Sequence, residues 1–193
     1  DRQTGMSAVA AFTEQQLNTA EGGEPRRLAA MYVSGDYFRL FGVSPAAGRV
    51  LTPSDDVRGC APVAVLGAGY WRREHGGSRD VVGQTLRLEG VPFEVVGVAR
   101  PGFSGPEVGR ETDVYAPLCA EAALAGERSG LDHRSMWWLR IMGRLEPGVT
   151  DAQLDARLAT IAPEVFEATV PAHYSSESKE EYRTRTLDAT PAA

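Results

Sequence analysis

The sequence VSGDYFRLFGVSPAAGRV, residues 33–50, is the stretch on which the predicted fold depends. It starts at the end of a hydrophobic strand, and the Ser-Gly-Asp that follows is typical of a turn or a helix start. Residues 37–41 then form a short amphipathic turn that ends at Gly42. Pro45 leads the chain away, because the residue before a proline favours extended backbone. The pattern predicts either an ordinary strand-turn-helix within one core or the point where the chain passes from one packed unit into another.

Short strands dominate the prediction on both sides of this stretch, up to about residue 125. Alternating apolar residues, Gly/Pro turns and a Gly-Gly helix end set the element bounds. The predicted strands are 7–12, 16–19, 27–34, 63–66, 84–88, 93–98 and 113–118, with a helix over 68–75 and a helical turn over 120–125.

The sequence of the C-terminal third predicts a strand, then a helix and then a last strand. Residues 137–145 alternate as in a half-buried strand. The residues Thr150 and Gln153 form a capping-box pattern at the start of a helix, which Pro163 should kink or restart. A last strand is predicted over residues 182–187. The helix has an apolar stripe, which is more typical of a core face than of a partner surface. We expect this stripe to pack on the sheet containing Leu139 and Ile141. The stripe consists of Leu154, Leu158, Ile161 and Val165.

The composition indicates a globular chain without an electrostatic footprint for nucleic acid. Of 193 residues 42% are hydrophobic, and the formal net charge is −6. The tight basic clusters are the two pairs Arg26-Arg27 and Arg72-Arg73, which do not form a stripe. The sequence has no run of about 18 apolar residues, so no membrane-spanning segment is predicted within it.

Catalytic, metal and nucleotide motifs are not evident in the sequence. The three histidines are far apart, and none has metal-ligand spacing to Cys, Asp or Glu. The G-x-G at Gly67 lacks the remainder of the dinucleotide and Walker fingerprints. We interpret Asp55-Asp56 as part of a solvated loop rather than a metal or acid–base pair. Cys60 and Cys119 are compatible either with a disulfide or with two unpaired small apolar residues. We therefore predict no catalytic, cofactor-binding or metal-binding residues and no cofactor.

Residues 33–51 resemble a signature near the start of the periplasmic core domain of MacB/FtsX-type ABC-transporter permeases. Four later stretches resemble the same domain in the same order: PVAVLGAGYWRREHGG (62–77), DVVGQTLRLEGVPFEVVGVARPGFSG (80–105), TDVYAPL (112–118) and LRIMGRLEPGVTDAQLDARL (139–158). The resemblance covers roughly residues 31–166. Five stretches in order, at family-like spacing, make it specific although no single stretch is.

The resemblance implies an α+β fold with two lobes. A porter-like α/β sandwich lobe would comprise residues 1–44 and 118–193, and residues 45–117 would form an inserted, mostly β lobe. Leu40, Phe41, Pro45 and Pro117 are the structural or hinge candidates, because they lie at or beside the two crossings between the lobes. The transmembrane helices of the parent protein would lie outside these residues.

The function implied is that of a non-catalytic extracytoplasmic domain, on the periplasmic side of the bacterial inner (cell) membrane. Such a domain transmits ATP-driven conformational change and contacts substrate or partner protein. The partners implied are the protein's own transmembrane helices, a cytoplasmic ATPase subunit or domain, and a second permease copy or a periplasmic adaptor protein, with no nucleic acid. The alternative is a soluble ligand-binding or enzymatic domain with a pocket between the lobes.

Overall fold

The computed structural model describes residues 5–19, 25–107, 109–133 and 136–192. It has an α+β fold, as predicted. The strands are β1 (Met6–Thr19), β2 (Arg26–Val33), β3 (Pro45–Gly48), β4 (Val63–Leu66), β5 (Thr85–Leu88), β6 (Val91–Ala99), β7 (Val114–Pro117) and β8 (Arg140–Leu145). The helices are α1 (Tyr37–Leu40), α2 (Ala68–His75), α3 (Glu121–Ala125), α4 (Asp151–Thr169) and α5 (Ser176–Arg183). Among the residues described, no helix is long and apolar enough to cross a membrane.

The strands form one mixed, eight-stranded sheet in the order β3-β6-β4-β7-β2-β1-β8, with β5 on β6. The central pairs β2–β7 and β4–β6 are parallel, and the pairs β1–β2, β4–β7, β3–β6 and β5–β6 are antiparallel. The strands β4 and β7 are buried at every position. The continuous apolar run of residues 63–66 predicted this burial on both faces.

Two compact units divide the chain. The large unit comprises Ala10–Leu131 with Trp138–Met142, and the small unit comprises Asp1–Val9, Asp132–Trp137 and Gly143–Ala193. These bounds differ from those of the predicted lobes, and a two-lobe arrangement is not shown. The strand β7 of the predicted insert pairs directly with β2 of the predicted first lobe. Leu86 and Ile141 lie on different strands of the one sheet and are not side by side. The division at residues 44/45 and 117/118 stays a prediction.

Local turn chemistry explains the ends of several elements in the large unit. The helix α2 ends at Gly76, whose φ of 57° is in the left-handed region, as predicted for a glycine C-cap. The hairpin β5–β6 turns through Glu89 and Gly90, at φ 49° and 83°. Glu89 also contacts the end of β1: its backbone N–H donates to Asn18 O at 2.8 Å, and its Oε1 accepts from Asn18 N at 2.6 Å.

The core of the large unit is formed by apolar side chains from seven strands, from α2 and from two short 3-10 turns that contribute Val81 and Ala120. Its members are Leu17, Leu28, Ala30, Tyr32, Ala47, Ala64, Leu66, Tyr70, Val81, Leu86, Leu88, Phe93, Val95, Val98, Val114, Ala116 and Ala120. Leu86 and Leu88 face inward while Thr85 and Arg87 are exposed, which confirms the alternation predicted for this hairpin.

The small unit contains α4, whose predicted capping box is confirmed. The Thr150 hydroxyl accepts from Gln153 N at 3.3 Å, and Gln153 Oε1 accepts from Thr150 N at 2.9 Å. The helix α4 continues through Pro163 without a restart, and the alternative of a kink at this proline stays a prediction. One detail of the predicted stripe was wrong, because Val165 is 38% exposed. The buried residues are Leu154, Ala162 and Phe166, so the stripe follows a spacing of four along the helix.

Three strand predictions need correction. The strands predicted over 7–12 and 16–19 are the single strand β1. The last strand predicted over 182–187 is wrong, because residues 176–183 form α5, capped where the Ser175 hydroxyl accepts from Ser178 N at 3.1 Å. The strand β8 is shorter than the predicted 137–145, and Ile141 is 73% exposed rather than half-buried. Alternation along a terminal strand does not reveal whether a second layer covers its apolar face.

Candidate functional site

The helix α1 anchors a cluster of aromatic rings in the large unit, which we call the aromatic cluster. Its rings come from α1 and the residue after it, from β1 and β7, and from the loop after β6. They are Phe12, Tyr37, Phe38, Phe41, Phe103 and Tyr115, with neighbouring ring centroids between 5.0 and 6.1 Å apart. Edge-to-face and offset contacts at such distances are the favourable geometry for aromatic pairs. One helical turn is therefore joined to two strands and a loop.

Tyr37 lies at the centre of the aromatic cluster and is fully buried. Its hydroxyl donates to Met31 Sδ at 3.1 Å. Burial raises the pKa of Tyr37 well above its usual range, so the phenol stays neutral. Gly105, at φ 81°, lies so close that a Cβ there would be 2.9 Å from the hydroxyl. The fit leaves no room for a side chain at this position.

The structure brings together some of the predicted candidate residues but not all. Leu40 is buried at the end of α1, and Phe41 is partly buried, with its ring 5.0 Å from that of Tyr37 and 5.8 Å from that of Phe103. Pro117 is buried at the end of β7 and pairs in register with Val33. Pro45 is exposed at the start of β3, three places from β7 in the sheet. A hinge role for these four residues stays a prediction.

A loop over residues 49–60 lies against the start of α1. Arg49 donates to both carboxylate oxygens of Asp55, at 2.7 and 2.8 Å, and the Asp55 carboxylate also accepts from Thr52 N at 2.8 Å. The hydrogen bond from Arg49 lowers the pKa of Asp55. A Cβ at Gly35 would lie 2.4 Å from the Cα of Pro53. The loop and the turn before α1 are thus in backbone contact.

Asp56 joins this loop to two distant segments. Its Oδ2 accepts from Gly35 N at 3.2 Å, and its Oδ1 accepts from Cys119 N at 2.8 Å. Burial raises the pKa of Asp56, and the two backbone N–H groups partly offset this rise. The interpretation of Asp55 and Asp56 as a merely solvated loop was therefore incomplete, because both carboxylates hold backbone in place.

Cys60 and Cys119 form a disulfide, which decides between the two alternatives that the sequence left open. The cysteines are 59 positions apart, with their Cα atoms 6.1 Å apart. The bond links the end of the 49–60 loop to Cys119, two positions after the end of β7. The N–H of the same Cys119 donates to Asp56. Disulfides persist in oxidising compartments such as the periplasm and the cell exterior.

The arrangement around α1 is suited to holding backbone segments together rather than to reaction chemistry. Its polar groups donate to or accept from backbone, and within the part of the chain that the structure describes no group of three His, Cys, Asp or Glu residues could hold a metal ion. Tyr37 and Phe38 were predicted within the amphipathic turn and Asp56 within a solvated loop, but the contacts of Phe103, Tyr115 and Asp56 were not predicted. The partners of these three residues lie 12 to 78 positions away, and only the fold brings them together.

The profile of the MacB-like periplasmic core domain matches residues 2–161. The macrolide export ATP-binding/permease protein MacB of Shigella dysenteriae serotype 1 is 24% identical over 160 residues, which are 83% of this chain and 23% of the relative. MacB of Escherichia coli K12 is likewise 24% identical, with 24% of its length covered. The chain thus spans about a quarter of the curated relatives it matches.

Solved structures with a similar fold come from extracytoplasmic parts of transporters. The periplasmic region of MacB from Actinobacillus actinomycetemcomitans has a TM-score of 0.59 at 18% identity, covering 83% of this chain and 67% of that one. The extracellular domain of the noncanonic ABC-type transporter YknZ from Gram-positive bacteria has a TM-score of 0.61 at 15% identity, covering 85% and 76%. The fold, the ordered sequence stretches and the family profile agree: this chain belongs to the MacB-like periplasmic core domain family, the periplasmic or extracellular domain of MacB-type ABC-transporter permeases.

Proposed function

We propose that this domain is non-catalytic and passes conformational change, driven by ATP hydrolysis on the cytoplasmic side, to a substrate or partner protein outside the membrane. The proposed partners are the permease's own transmembrane helices, a cytoplasmic ATPase subunit or domain, and a second permease copy or a periplasmic adaptor protein. The MacB relatives are named as ATP-binding/permease proteins for macrolide export, which supports export as the direction of transport.

The observation that supports this proposal is the aromatic cluster. It joins α1 to β1, β7 and the loop after β6 through ring contacts, and the disulfide and Asp56 fix the neighbouring loop. A unit held in this way transmits displacement without absorbing it, because packed cores have discrete arrangements rather than a continuous range. We infer that the large unit moves as a rigid body, with Leu40 and Phe41 supporting α1, and with Pro45 and Pro117 stiffening the two crossings.

Distance measurements in the intact parent permease, reconstituted in liposomes with its ATPase, would test this proposal. Spin labels are attached at Arg39→Cys on α1 and Arg87→Cys on β5, two exposed positions of the large unit that belong to different predicted lobes. With ATP, we expect the distance between the two labels to stay unchanged. The distance from each label to gadolinium-chelating lipids is expected to change, because the whole unit moves relative to the membrane.

A non-hydrolysable ATP analogue with a hydrolysis-deficient ATPase is the matched control. If neither distance responds to ATP hydrolysis, the domain does not transmit motion and the proposed function is wrong. If the distance between the two labels changes by several ångström, bending within the large unit is the working movement. That result would reject rigid-body transmission while retaining the mechanical role.

A further inference from the structure

One cavity of the large unit is bordered by Arg26 and Arg27 of the first arginine pair and by Arg73 of the second. Arg26 and Arg27 open β2, and Arg73 lies in α2, more than 40 positions later. The cavity between them has a volume of about 360 Å³ and borders on Leu28 and Tyr70, whose side chains are buried. A concave surface with apolar walls and a few convergent polar groups is the usual form of a small-molecule site.

The rim of the cavity carries a local excess of positive charge in an acidic chain. Arg26 donates to Glu74 at 2.9 Å, and Arg73 donates to Glu74 at 3.2 Å and to Asp113 at 2.8 Å. Arg27 forms no ion pair among the described residues. Three arginines and one glutamate thus border the cavity. Each guanidinium has five N–H donors, of which the ion pairs named here use at most two.

Thr19 supplies a second, independent indication of a ligand. It borders the cavity, is only 3% exposed, and its hydroxyl has no hydrogen-bond partner among the described residues. A buried hydroxyl without a partner lowers stability, because it has lost its bonds to water. Rotation about the single χ1 bond changes the direction of the hydroxyl, so an acceptor placed in the cavity can receive its hydrogen.

We propose that this cavity binds the carboxylate or phosphate group of a small ligand. The Thr19 hydroxyl and the Arg26 guanidinium, which lie on one face of the sheet because Thr19 and Arg26 are register partners, donate to the anionic oxygens. Leu28 and the ring of Tyr70 contact the ligand's apolar part. Arg73, already oriented by Glu74 and Asp113, adds donors at the rim. The site is independent of the transmission function proposed above, since it lies outside the aromatic cluster.

Binding to the 193-residue chain is tested by calorimetry with two probes, sodium hexanoate and inorganic phosphate, and with hexanol as the uncharged control. We expect one or both anions to bind and hexanol not to bind. Arg26→Gln and Thr19→Val should each weaken binding about fivefold or more, the loss of one hydrogen bond to a charged group. Arg100→Gln, which removes an exposed arginine that does not border the cavity, should leave the affinity within about twofold.

Thr19→Val also separates binding from folding. Valine has the same shape without the hydroxyl, so this variant should be at least as stable as the natural chain while binding more weakly. Binding of hexanoate alone identifies a carboxylate ligand with an apolar chain, and binding of phosphate alone identifies a phosphate ligand. If neither anion binds, or if Arg100→Gln weakens binding as much as Arg26→Gln, the proposed site does not exist.

Discussion

Removal of the Cys60–Cys119 disulfide is expected to lower the free energy of unfolding of the large unit by about 4 kcal/mol. The two cysteines are 59 positions apart. For a closed loop of about 60 residues, the chain-entropy relation gives a loss of about 14 cal/mol/K from the unfolded chain, which is about 4 kcal/mol at 25 °C. The bond acts on the unfolded state, so the folded contacts of Asp56 with Cys119 N should persist in the variant.

Urea unfolding of the natural chain and of the double variant Cys60→Ala/Cys119→Ala measures this difference, followed by circular dichroism. With a slope of about 1.5 kcal/mol/M, the midpoint should fall by about 2–3 M urea. A reductant without thiols should shift the natural chain to the same midpoint and leave the variant unchanged. A thiol titration of the unfolded natural chain confirms beforehand that both cysteines are oxidised.

The reasoning would be refuted if the variant lost less than about 1 kcal/mol with the disulfide confirmed in the natural chain. Such a result would mean that residues 60 and 119 are already close in the unfolded ensemble, so the bond removes little entropy. A response of the double variant to reductant would instead show that the reagent acts on something other than this bond.

Two further predictions concern single residues near α1. Phe41→Ala should lower the free energy of unfolding in urea by about 2 kcal/mol, less than for a fully buried phenylalanine because its ring is only partly covered. The exposed control Val57→Ala should lower it by under about 0.5 kcal/mol. Equal losses would mean that Phe41 does not support the aromatic cluster. Asp55→Asn should cost about 1 kcal/mol at pH 7. Because Arg49 lowers the folded pKa of Asp55, its contribution is present above the unfolded value of 3.8 and is lost as the pH falls through the folded pKa. Urea unfolding of the natural chain and of the Asp55→Asn variant at pH 7 and pH 3 measures this contribution. An equal loss of stability at both pH values would contradict the pairing of Asp55 with Arg49.

Local rules predicted those elements whose determinants lie within a few residues. Thr150 and Gln153 are three positions apart, and the helix starts where their capping box predicts. Gly76 ends α2 and Gly90 turns the β5–β6 hairpin, because both positions need a left-handed backbone that glycine adopts without strain. The helix α5 was not predicted although Ser175 is a good N-cap, because Tyr182 is the single apolar residue of its eight and no apolar stripe marks a helix there.

Features that depend on residues far apart in the chain could not be predicted in this way. Asp56 bonds to backbone 21 and 63 positions away, so its two partners appear only when β2, β7 and the loop are assembled. The same holds for the disulfide and for the ring of Phe103 against that of Tyr115. The exposure of Ile141 was also unpredictable, since an alternating strand does not encode what lies above it.

The contact of Glu89 with Asn18 has a consequence for behaviour at high concentration. An unpaired strand edge offers N–H and C=O groups to any neighbouring chain, which is a common route to edge-to-edge aggregation. At Asn18 the backbone N–H and C=O are both taken by Glu89, although β1 and β5 are not neighbours in the sheet. The hairpin turn therefore blocks edge-to-edge pairing at this end of β1, because these two backbone groups are already hydrogen-bonded within the molecule.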